Sequence, residues 1–264
     1  MQDYPYDHAI YRPGKTCSTC NHVKPARSKH CSLCGCCVAK CDHHCPWVMN
    51  CLGRGNYQHF LALLLSLGTL QVYGAYLSYC ILENYLHLPE NPNISMVPWQ
   101  RLSEFGEMCT ITLHAGGLGI AGVGLLAAAT AFLPLSFLAY HIYLIWAGMT
   151  TNESQKWADW RDDMADGAVF RASRKAVLEH LRLQQGLDAR TAEPLKHLVE
   201  TLGLEAEEKV FWPAETDQII VRTNDCQPPS GQAHLWFKVY DLSKVENLYD
   251  LGVLDNLSEI VAGR

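Results

Sequence analysis

Two long stretches of the sequence lack Asp, Glu, Lys and Arg altogether. The first covers the 23 residues from Phe60 to Leu82, and the second covers the 44 residues from Met108 to Thr151. A helix of the first stretch would reach about 34 Å, enough to cross a hydrocarbon layer of about 30 Å. The second is too long for one plain span, and we expect a Gly-rich lead-in followed by a span near Gly122–Met149 that Pro134 kinks. The missing charges therefore favour two membrane helices over a soluble core.

The sequence also lacks a Gly-rich phosphate loop, an internal repeat and a low-complexity run. Residues 1–16 have no apolar core, and we therefore expect no signal peptide. The net charge of −6 and the mean hydropathy of −0.05 resemble those of a soluble protein, because a polar head and tail offset the apolar middle. Seven Lys and Arg lie in residues 1–60, one in 83–107 and five in 156–175. The positive-inside rule then places both head and tail in the cytosol, which requires an even number of spans.

Cysteine, in contrast, is concentrated in one short region. Nine of the twelve cysteines fall within the 35 residues from Cys17 to Cys51. Recurrent CxxC pairs and two histidines at ligand-like spacing favour zinc over disulfides, and free thiols in such number indicate a reducing compartment. Spacing alone leaves open which four residues share an ion. One grouping that fills two tetrahedral sites is Cys17, Cys20, His30 and Cys37 with Cys31, Cys34, His44 and Cys51.

Cys45 is left outside that grouping, at the end of the run Asp42-His43-His44-Cys45. A thiol next to an imidazole that is itself next to a carboxylate is the arrangement of an activated sulfur nucleophile. The alternative, which the spacing leaves open, is that Cys45 is one more zinc ligand.

At this point the residues resemble a known family. The matching run is Cys17-x2-Cys20-x9-His30-Cys31-x2-Cys34-x2-Cys37-x4-Asp42-His43-His44-Cys45-x5-Cys51-x4-Asn56-x3-Phe60. It is similar at every spacing to the Cys-rich domain of the DHHC protein acyltransferases, integral membrane enzymes that move palmitate from coenzyme A onto protein cysteines. The resemblance implies the two Cys3His tetrads above, two structural Zn²⁺ ions and palmitoyl-CoA as the acyl donor. It also implies an acylated Cys45, with His43 as base and Asp42 orienting it, whereas Cys36 and Cys41 match no ligand position.

Two motifs after the second apolar run extend the resemblance. Thr150-Thr151-Asn152-Glu153 matches the TTxE motif that family members carry after the last span; by itself it predicts a helix-capping box, and the two interpretations are compatible. Asn247 to Asn256 is similar to the C-terminal motif whose final Asn ties the tail to the membrane domain. The stretches YPYDHAIYRPGKTCSTC, KPARSKHC and TTNES-x-KW-x-DW look most like the fungal branch that acylates SNARE-type, single-span membrane proteins at juxtamembrane cysteines.

The predicted fold is a mainly α membrane protein of the endoplasmic reticulum or Golgi, with its active site facing the cytosol. We expect residues 1–59 to form a cytosolic two-zinc domain of small β-hairpins and 60–82 to form the first transmembrane helix. Residues 83–107 would be a lumenal loop, 108–149 the lead-in and second transmembrane helix, and 150–264 an α+β cytosolic tail. Within the tail, we expect helices in 170–208 and strands in 210–223 and 234–240 that flank a loop. Trp157 and Trp160 would begin an amphipathic segment on the membrane.

The expected partners are fatty acyl-CoA, membrane lipid and substrate proteins with juxtamembrane cysteines, and no nucleic acid. Trp47 is expected at the membrane interface, where such rings are enriched. Basic residues of the head could attract coenzyme A phosphates or the anionic leaflet, or could simply be solvated. These residues are Lys24, Arg27, Lys29 and Arg54.

Family members usually have four spans, two of them before the zinc domain, whereas this chain starts at that domain. We therefore expect an N-terminally truncated chain, either an incomplete fragment or one whose activity needs a partner. Two other function classes fit parts of the sequence: an inactive, membrane-anchored zinc adaptor and a CxxC thiol oxidoreductase. The adaptor predicts partner binding that survives Cys45→Ser, and the oxidoreductase would need neither zinc nor apolar spans.

Overall fold

The computed structural model describes residues 4–86, 99, 103, 106–107, 110, 118–187 and 216–262. The chain divides into two compact units, Met1–Gln58 with Tyr143–Arg264, and His59–Ile142. Most of the predicted lumenal loop, part of the Gly-rich lead-in and the second helix predicted for 170–208 lie outside the described residues.

The second unit consists mainly of two long helices. Helix α1 is Tyr57–Leu86 and helix α2 is Leu118–Trp146, and both are long and apolar enough to cross a membrane. Most of their large apolar side chains, such as Leu70, Leu125 and Phe132, are exposed. An apolar surface of this extent is stable where lipid covers it. The two helices confirm the predicted class of a membrane protein with two spans.

Small side chains let α1 and α2 approach each other closely. A Cβ atom added at Gly68 would overlap Leu135 Cδ2, and one added at Gly124 would lie 2.6 Å from Ser78 Cβ. Between these contacts, Gln71 Nε2 donates a hydrogen bond of 3.1 Å to Thr130 Oγ1. Small residues and polar pairs of this kind replace the hydrophobic effect as the source of helix association in lipid.

Helix α2 ends at Trp146, and Gly148, two residues later, turns the chain away instead of letting the helix continue to Met149. The N–H of Gly148 donates to Ile145 O and that of Met149 donates to Leu144 O, the paired bonds of a Schellman motif. Gly148 has φ +63°, and an added Cβ would lie 2.5 Å from Asp250 Cα. Glycine is therefore required at this position by both backbone conformation and packing, and the helix lies a few residues before the predicted span at both ends.

The Cys-rich head contains two small antiparallel hairpins. The first pairs β1, Lys29–Cys31, with β2, Cys36–Val38, and the second pairs β3, His43–Cys45, with β4, Asn50–Leu52. Gly35 with φ +66° lies in the turn of the first hairpin, and Met49 with φ +49° lies in the turn of the second. The predicted hairpins of the head are thus present.

The tail has an α+β fold, as predicted, built on a three-stranded antiparallel sheet in which Val169–Ser173 lies between Gln218–Arg222 and Phe237–Lys238. Its helices are α3 (Thr151–Ala165), α4 (Arg174–Leu187) and α5 (Val253–Val261). Its strands are β5 (Val169–Ser173), β6 (Gln218–Arg222) and β7 (Phe237–Lys238), with short 3-10 helices at Ala233–Leu235 and Leu242–Lys244.

Two expectations for the tail were wrong. Residues 170–173, expected to begin a helix, belong to the central strand β5. The two predicted strand regions do contain strands, β6 and β7, and both pair with β5. The sheet is covered on both faces: α4 packs on one through Val177 and Leu181, and α3 packs on the other. Trp157 and Trp160 are buried in that second layer, so the apolar face of α3 covers a sheet and not a membrane surface.

Candidate active site and zinc centres

Four predicted ligands meet in the first Cys/His cluster. His30 on β1 lies opposite Cys37 on β2, and the turn before the hairpin supplies Cys17 and Cys20. The four ligand atoms lie within 4.8 Å of one another, and His30 Nδ1 is 3.3 Å from Cys20 Sγ and 3.8 Å from Cys37 Sγ.

The second cluster repeats this construction one hairpin later. His44 on β3 lies opposite Cys51 on β4, and Cys31 and Cys34 come from the first hairpin. His44 Nδ1 lies 3.6, 3.4 and 3.6 Å from the sulfurs of Cys31, Cys34 and Cys51.

The spacing of both clusters fits tetrahedral zinc. Zn–S bonds of about 2.3 Å and Zn–N bonds of about 2.0–2.1 Å give an S···N edge of roughly 3.6 Å and an S···S edge of roughly 3.8 Å. The S···N distances of 3.3–3.8 Å and the Cys34 to Cys51 S···S distance of 3.6 Å lie close to these edges. Both clusters could therefore hold zinc, in the grouping that the sequence offered.

Alternation along the strands explains why the two clusters interleave. Successive side chains of a strand point to opposite faces, so His30 and Cys31 on β1 serve different clusters. The same rule applies to β3. His44 faces the second cluster, and its neighbours His43 and Cys45 therefore share the opposite face.

Cys45 is buried and belongs to neither Cys/His cluster of the described residues. Of the other two cysteines of the head without a ligand position, Cys36 is exposed and Cys41 is buried. The turn that follows Cys45 exposes apolar side chains: Trp47 is 93% exposed and Met49 is 81% exposed.

Asp42 is held between the imidazole next to it and the start of helix α3. Its Oδ2 lies 2.6 Å from His43 Nδ1, and its backbone N–H donates to Leu52 O at 2.8 Å. Thr151 donates twice to this carboxylate, from its N–H to Oδ1 at 2.7 Å and from its hydroxyl to Oδ2 at 3.0 Å. With Nδ1 directed at the carboxylate, Nε2 of His43 is the ring nitrogen that can accept a proton.

The TTxE residues form the predicted capping box. Thr150 is the N-cap of α3, its hydroxyl accepts the N–H of Glu153, and Glu153 Oε2 accepts the N–H of Thr150 at 2.9 Å. The first turn of a helix carries unpaired N–H groups and a partial positive charge, which stabilises a nearby carboxylate. The motif thus caps α3 and presents Thr151 to Asp42.

Three motif asparagines tie chain segments together through backbone groups. Asn56 accepts the N–H of Gly53 and donates to the carbonyl of Cys51, both at 2.9 Å, just before α1 begins. Asn256 donates to Ile145 O at 3.0 Å, and Asn247 donates to Ala147 O at 3.0 Å. Since the last carbonyls of a helix have no partner within it, these bonds attach the tail to the end of α2.

A basic groove of about 500 Å³ opens beside the Cys-rich head. Five cationic side chains line it, against one acid, Asp159. Those cations are Arg12, Lys15, Lys24, Lys29 and Lys156. Burial lowers the pKa of Lys156, although Glu153 and Asp7 oppose this effect.

The basic residues that the sequence singled out in the head lie in different environments. Lys24 and Lys29 line the groove, but Arg54 lines a smaller cavity, and Arg27 is buried against Glu153. Lys156 was not singled out from the sequence, because nothing local connects helix α3 with the zinc head.

Comparison with known proteins agrees with this geometry. The family model described as DHHC palmitoyltransferase matches residues 10–158. Palmitoyltransferase swf1 of Aspergillus fumigatus is 40% identical over 98% of this chain and 69% of its own length. The same enzyme of Emericella nidulans is 39% identical over 98% of this chain and 63% of its length, and that of Neurospora crassa is 36% identical over 98% and 59%. The chain thus spans 59–69% of the length of these relatives. The predicted family is confirmed: the chain is an integral membrane protein that belongs to the DHHC palmitoyltransferase family.

Proposed function

We propose that this protein is a protein S-acyltransferase that moves palmitate from palmitoyl-CoA to cysteines of other proteins through an acyl-Cys45 intermediate. One observation carries the proposal. Strand β3 directs His44 to a Cys/His cluster and turns Cys45 and His43 to the opposite face, where Asp42 fixes the imidazole. A sulfur in this position is spared from metal binding and has a base beside it.

In the proposed first half-reaction, His43 Nε2 takes the proton from the thiol of Cys45, since only the thiolate is a good nucleophile. The thiolate attacks the thioester carbonyl of palmitoyl-CoA, and the C–S bond to coenzyme A breaks. The coenzyme A sulfur leaves with the proton from His43, and the acyl group remains on Cys45. Asp42 stabilises the imidazolium that forms between these events.

The second half-reaction repeats the chemistry with a different thiol. His43 deprotonates a substrate cysteine, whose thiolate attacks the acyl-Cys45 thioester. The Cys45–acyl bond breaks, and Cys45 recovers the proton from His43. The two steps predict ping-pong kinetics.

We assign structural roles to the two Cys/His clusters. Cys17, Cys20, His30 and Cys37 would hold one Zn²⁺, and Cys31, Cys34, His44 and Cys51 the other. Bound zinc supplies the folding energy that hairpins of three-residue strands cannot obtain from an apolar core. Zinc would therefore fix the register of β3, and with it the direction in which Cys45 points.

The basic groove supports coenzyme A as the carrier of the acyl group. Coenzyme A has a pyrophosphate and a further phosphate on its ribose, and Lys and Arg side chains bind such groups through charge-assisted hydrogen bonds. Five cations against one acid give the groove the matching charge.

We further propose that the reaction takes place at the cytosolic membrane surface of the endoplasmic reticulum or Golgi. The exposed Trp47 and Met49 in the turn after Cys45 would lie in the bilayer interface, where amphipathic rings are enriched. Burial in an apolar environment stabilises an acyl chain by about 0.8 kcal/mol per CH2 group, so the chain lies in the bilayer or an equally apolar site. The thiol of Cys45 must therefore lie at the membrane surface to meet the thioester. Substrate cysteines close to a transmembrane span, as in SNARE-type proteins, would reach the same level.

The test uses the purified full chain in detergent micelles with palmitoyl-CoA. The intact mass should increase by one acyl group located on Cys45, and Cys45→Ser should abolish this gain with two zinc ions per chain retained. Cys36→Ser, which removes an exposed thiol of the same domain, should label normally.

Three other results would exclude the proposal. Loss of zinc in Cys45→Ser would identify Cys45 as a ligand. No acylation of the wild type, or acylation of another cysteine, would leave the chain as a membrane-anchored zinc adaptor.

A further inference from the structure

Arg27 and Glu153 form a buried ion pair next to the proposed active site. Arg27 is 2% exposed and Glu153 is 1% exposed. The pair is bidentate, with Nε to Oε1 at 2.7 Å and Nη2 to Oε2 at 2.6 Å. The guanidinium also lies 5.1 Å from the centre of the Tyr4 ring and 4.4 Å from that of Tyr249. A charge is tolerated away from water only with such complete partnering, so the orientation of Glu153 is strongly constrained.

The fixed orientation of Glu153 in turn fixes the position of Asp42, through the first turn of α3. The carboxylate that binds Arg27 also accepts the N–H of Thr150 at 2.9 Å, which fixes the first turn of α3. The next residue, Thr151, donates to both oxygens of Asp42, and Asp42 in turn binds His43 Nδ1.

Arg27 also holds the chain next to Asp42 through its own backbone. Its backbone carbonyl accepts the N–H of Cys41, the residue just before Asp42, at 3.0 Å. Its side chain lines the small cavity that Asp42 and Thr150 also line, not the basic groove. One residue therefore holds the segment just before β3, which carries Asp42, and, through Glu153, the helix that binds the carboxylate.

We propose that Arg27 is a positioning residue for acyl transfer, acting through Glu153 and the Thr150–Thr151 turn to orient Asp42 and His43 toward Cys45. The proposal rests on the acyl-transfer function proposed above. It explains why the motif after the last span must be joined to the zinc head rather than only cap its own helix.

The proposal requires arginine and not merely a positive charge. A lysine ammonium is a compact point charge and cannot make two parallel bonds to one carboxylate. It would also lose the 3.4 Å contact from Nη2 to Gly148 O and the stacking between the two tyrosines. Arg27→Lys should therefore keep the charge of the site and loosen its geometry.

The experiment measures single-turnover formation of acyl-Cys45 by the full chain in micelles over a range of palmitoyl-CoA concentrations. Arg27→Lys should lower the maximal rate at least tenfold, because a misplacement of about 1 Å in a catalytic group can cost about 10²-fold. The palmitoyl-CoA concentration for half-maximal rate and the zinc content should remain those of the wild type. The matched control is Arg222→Lys, in an exposed pair with Asp163 whose side chains are 49% and 30% exposed; its rate should not change.

A double-mutant cycle separates positioning from general stability. In an Asp42→Asn background, Arg27→Lys should reduce the remaining rate less than twofold, since there is no longer a carboxylate to position. Should Arg27→Lys lose zinc, Glu153→Gln, which keeps the side-chain shape, takes its place in the cycle with the same expectations.

Three results would overturn the inference: a wild-type rate in the variant, a loss confined to the palmitoyl-CoA dependence, or an undiminished loss in the Asp42→Asn background. Each of these results can be obtained only if the wild-type protein forms acyl-Cys45. A wild type that fails to do so refutes the proposed function instead.

Discussion

Replacing Glu153 by alanine would leave the Arg27 guanidinium buried without its counterion. Both side chains are almost completely inaccessible to water, so solvent cannot take over the lost interaction. Removing one partner of a buried pair costs about 3–5 kcal/mol. The same substitution removes the acceptor for the N–H of Thr150, half of the capping box, at about 1 kcal/mol. The expected loss of about 4–6 kcal/mol is comparable to the whole unfolding free energy of many domains, about 5–15 kcal/mol.

The pH dependence of this loss follows from the pKa of Glu153. Burial by itself would raise that pKa, but the charge and hydrogen bonds of Arg27 outweigh burial and hold it below its ordinary value. A carboxylate with a lowered pKa in the folded state stabilises the protein above the unfolded-state pKa of about 4.3. The cost of Glu153→Ala should therefore be constant from about pH 6 to 8 and shrink as the solution becomes more acidic.

Urea unfolding in micelles measures this cost, with the fluorescence of tryptophan as the signal because Trp157 and Trp160 lie in the core beneath α3. The control is Asp163→Ala, which breaks the exposed pair with Arg222 and should cost less than about 1 kcal/mol. An unfolding free energy for Glu153→Ala within about 1 kcal/mol of the wild type would refute the reasoning, since no buried charge could then have been left without a partner.

Three further predictions concern other parts of the first unit. Burial raises the pKa of Asp7 to about 6, although the N–H groups of Tyr11 and Ala9 lower it. Because the folded protein then holds this proton more tightly than the unfolded chain does, the unfolding free energy of the wild type relative to Asp7→Asn should fall as pH rises from about 4 to 6. Urea unfolding measured at several pH values that shows no such fall would contradict this. Gly148→Ala should cost about 1–3 kcal/mol of unfolding free energy, because of its φ of +63° and the contact with Asp250; Gly55→Ala, where an added Cβ meets nothing within 4 Å, is the comparison. Lys24→Ala with Lys29→Ala should raise the KM for palmitoyl-CoA and weaken its dependence on salt without lowering kcat, because these cations line the groove; an unchanged KM would remove the groove from coenzyme A binding.

Local features of the sequence were sufficient to predict the class of the protein and the residues that make up its candidate sites. His30 and Cys37 are seven residues apart and face each other across a two-stranded hairpin. Because such a hairpin is a local structure, the spacing of the ligands in the sequence is enough to predict that they meet. Helices α1 and α2 are predicted by uncharged stretches that, as helices, are longer than the hydrocarbon layer of a bilayer is thick. The capping box of Thr150 and Glu153 depends on residues within a single helical turn.

Tertiary structure decided the contacts between distant segments. Thr151 meets Asp42 across 109 positions and Glu153 meets Arg27 across 126, distances over which no spacing rule operates. The apolar stripe of α3 is the same pattern for a helix on a membrane and a helix on a sheet, and only the pairing of β5 with β6 and β7 showed which surface it covers. Local hydrogen bonding and hydrophobicity determine an element by itself, whereas its partner depends on which other surfaces the complete fold leaves uncovered.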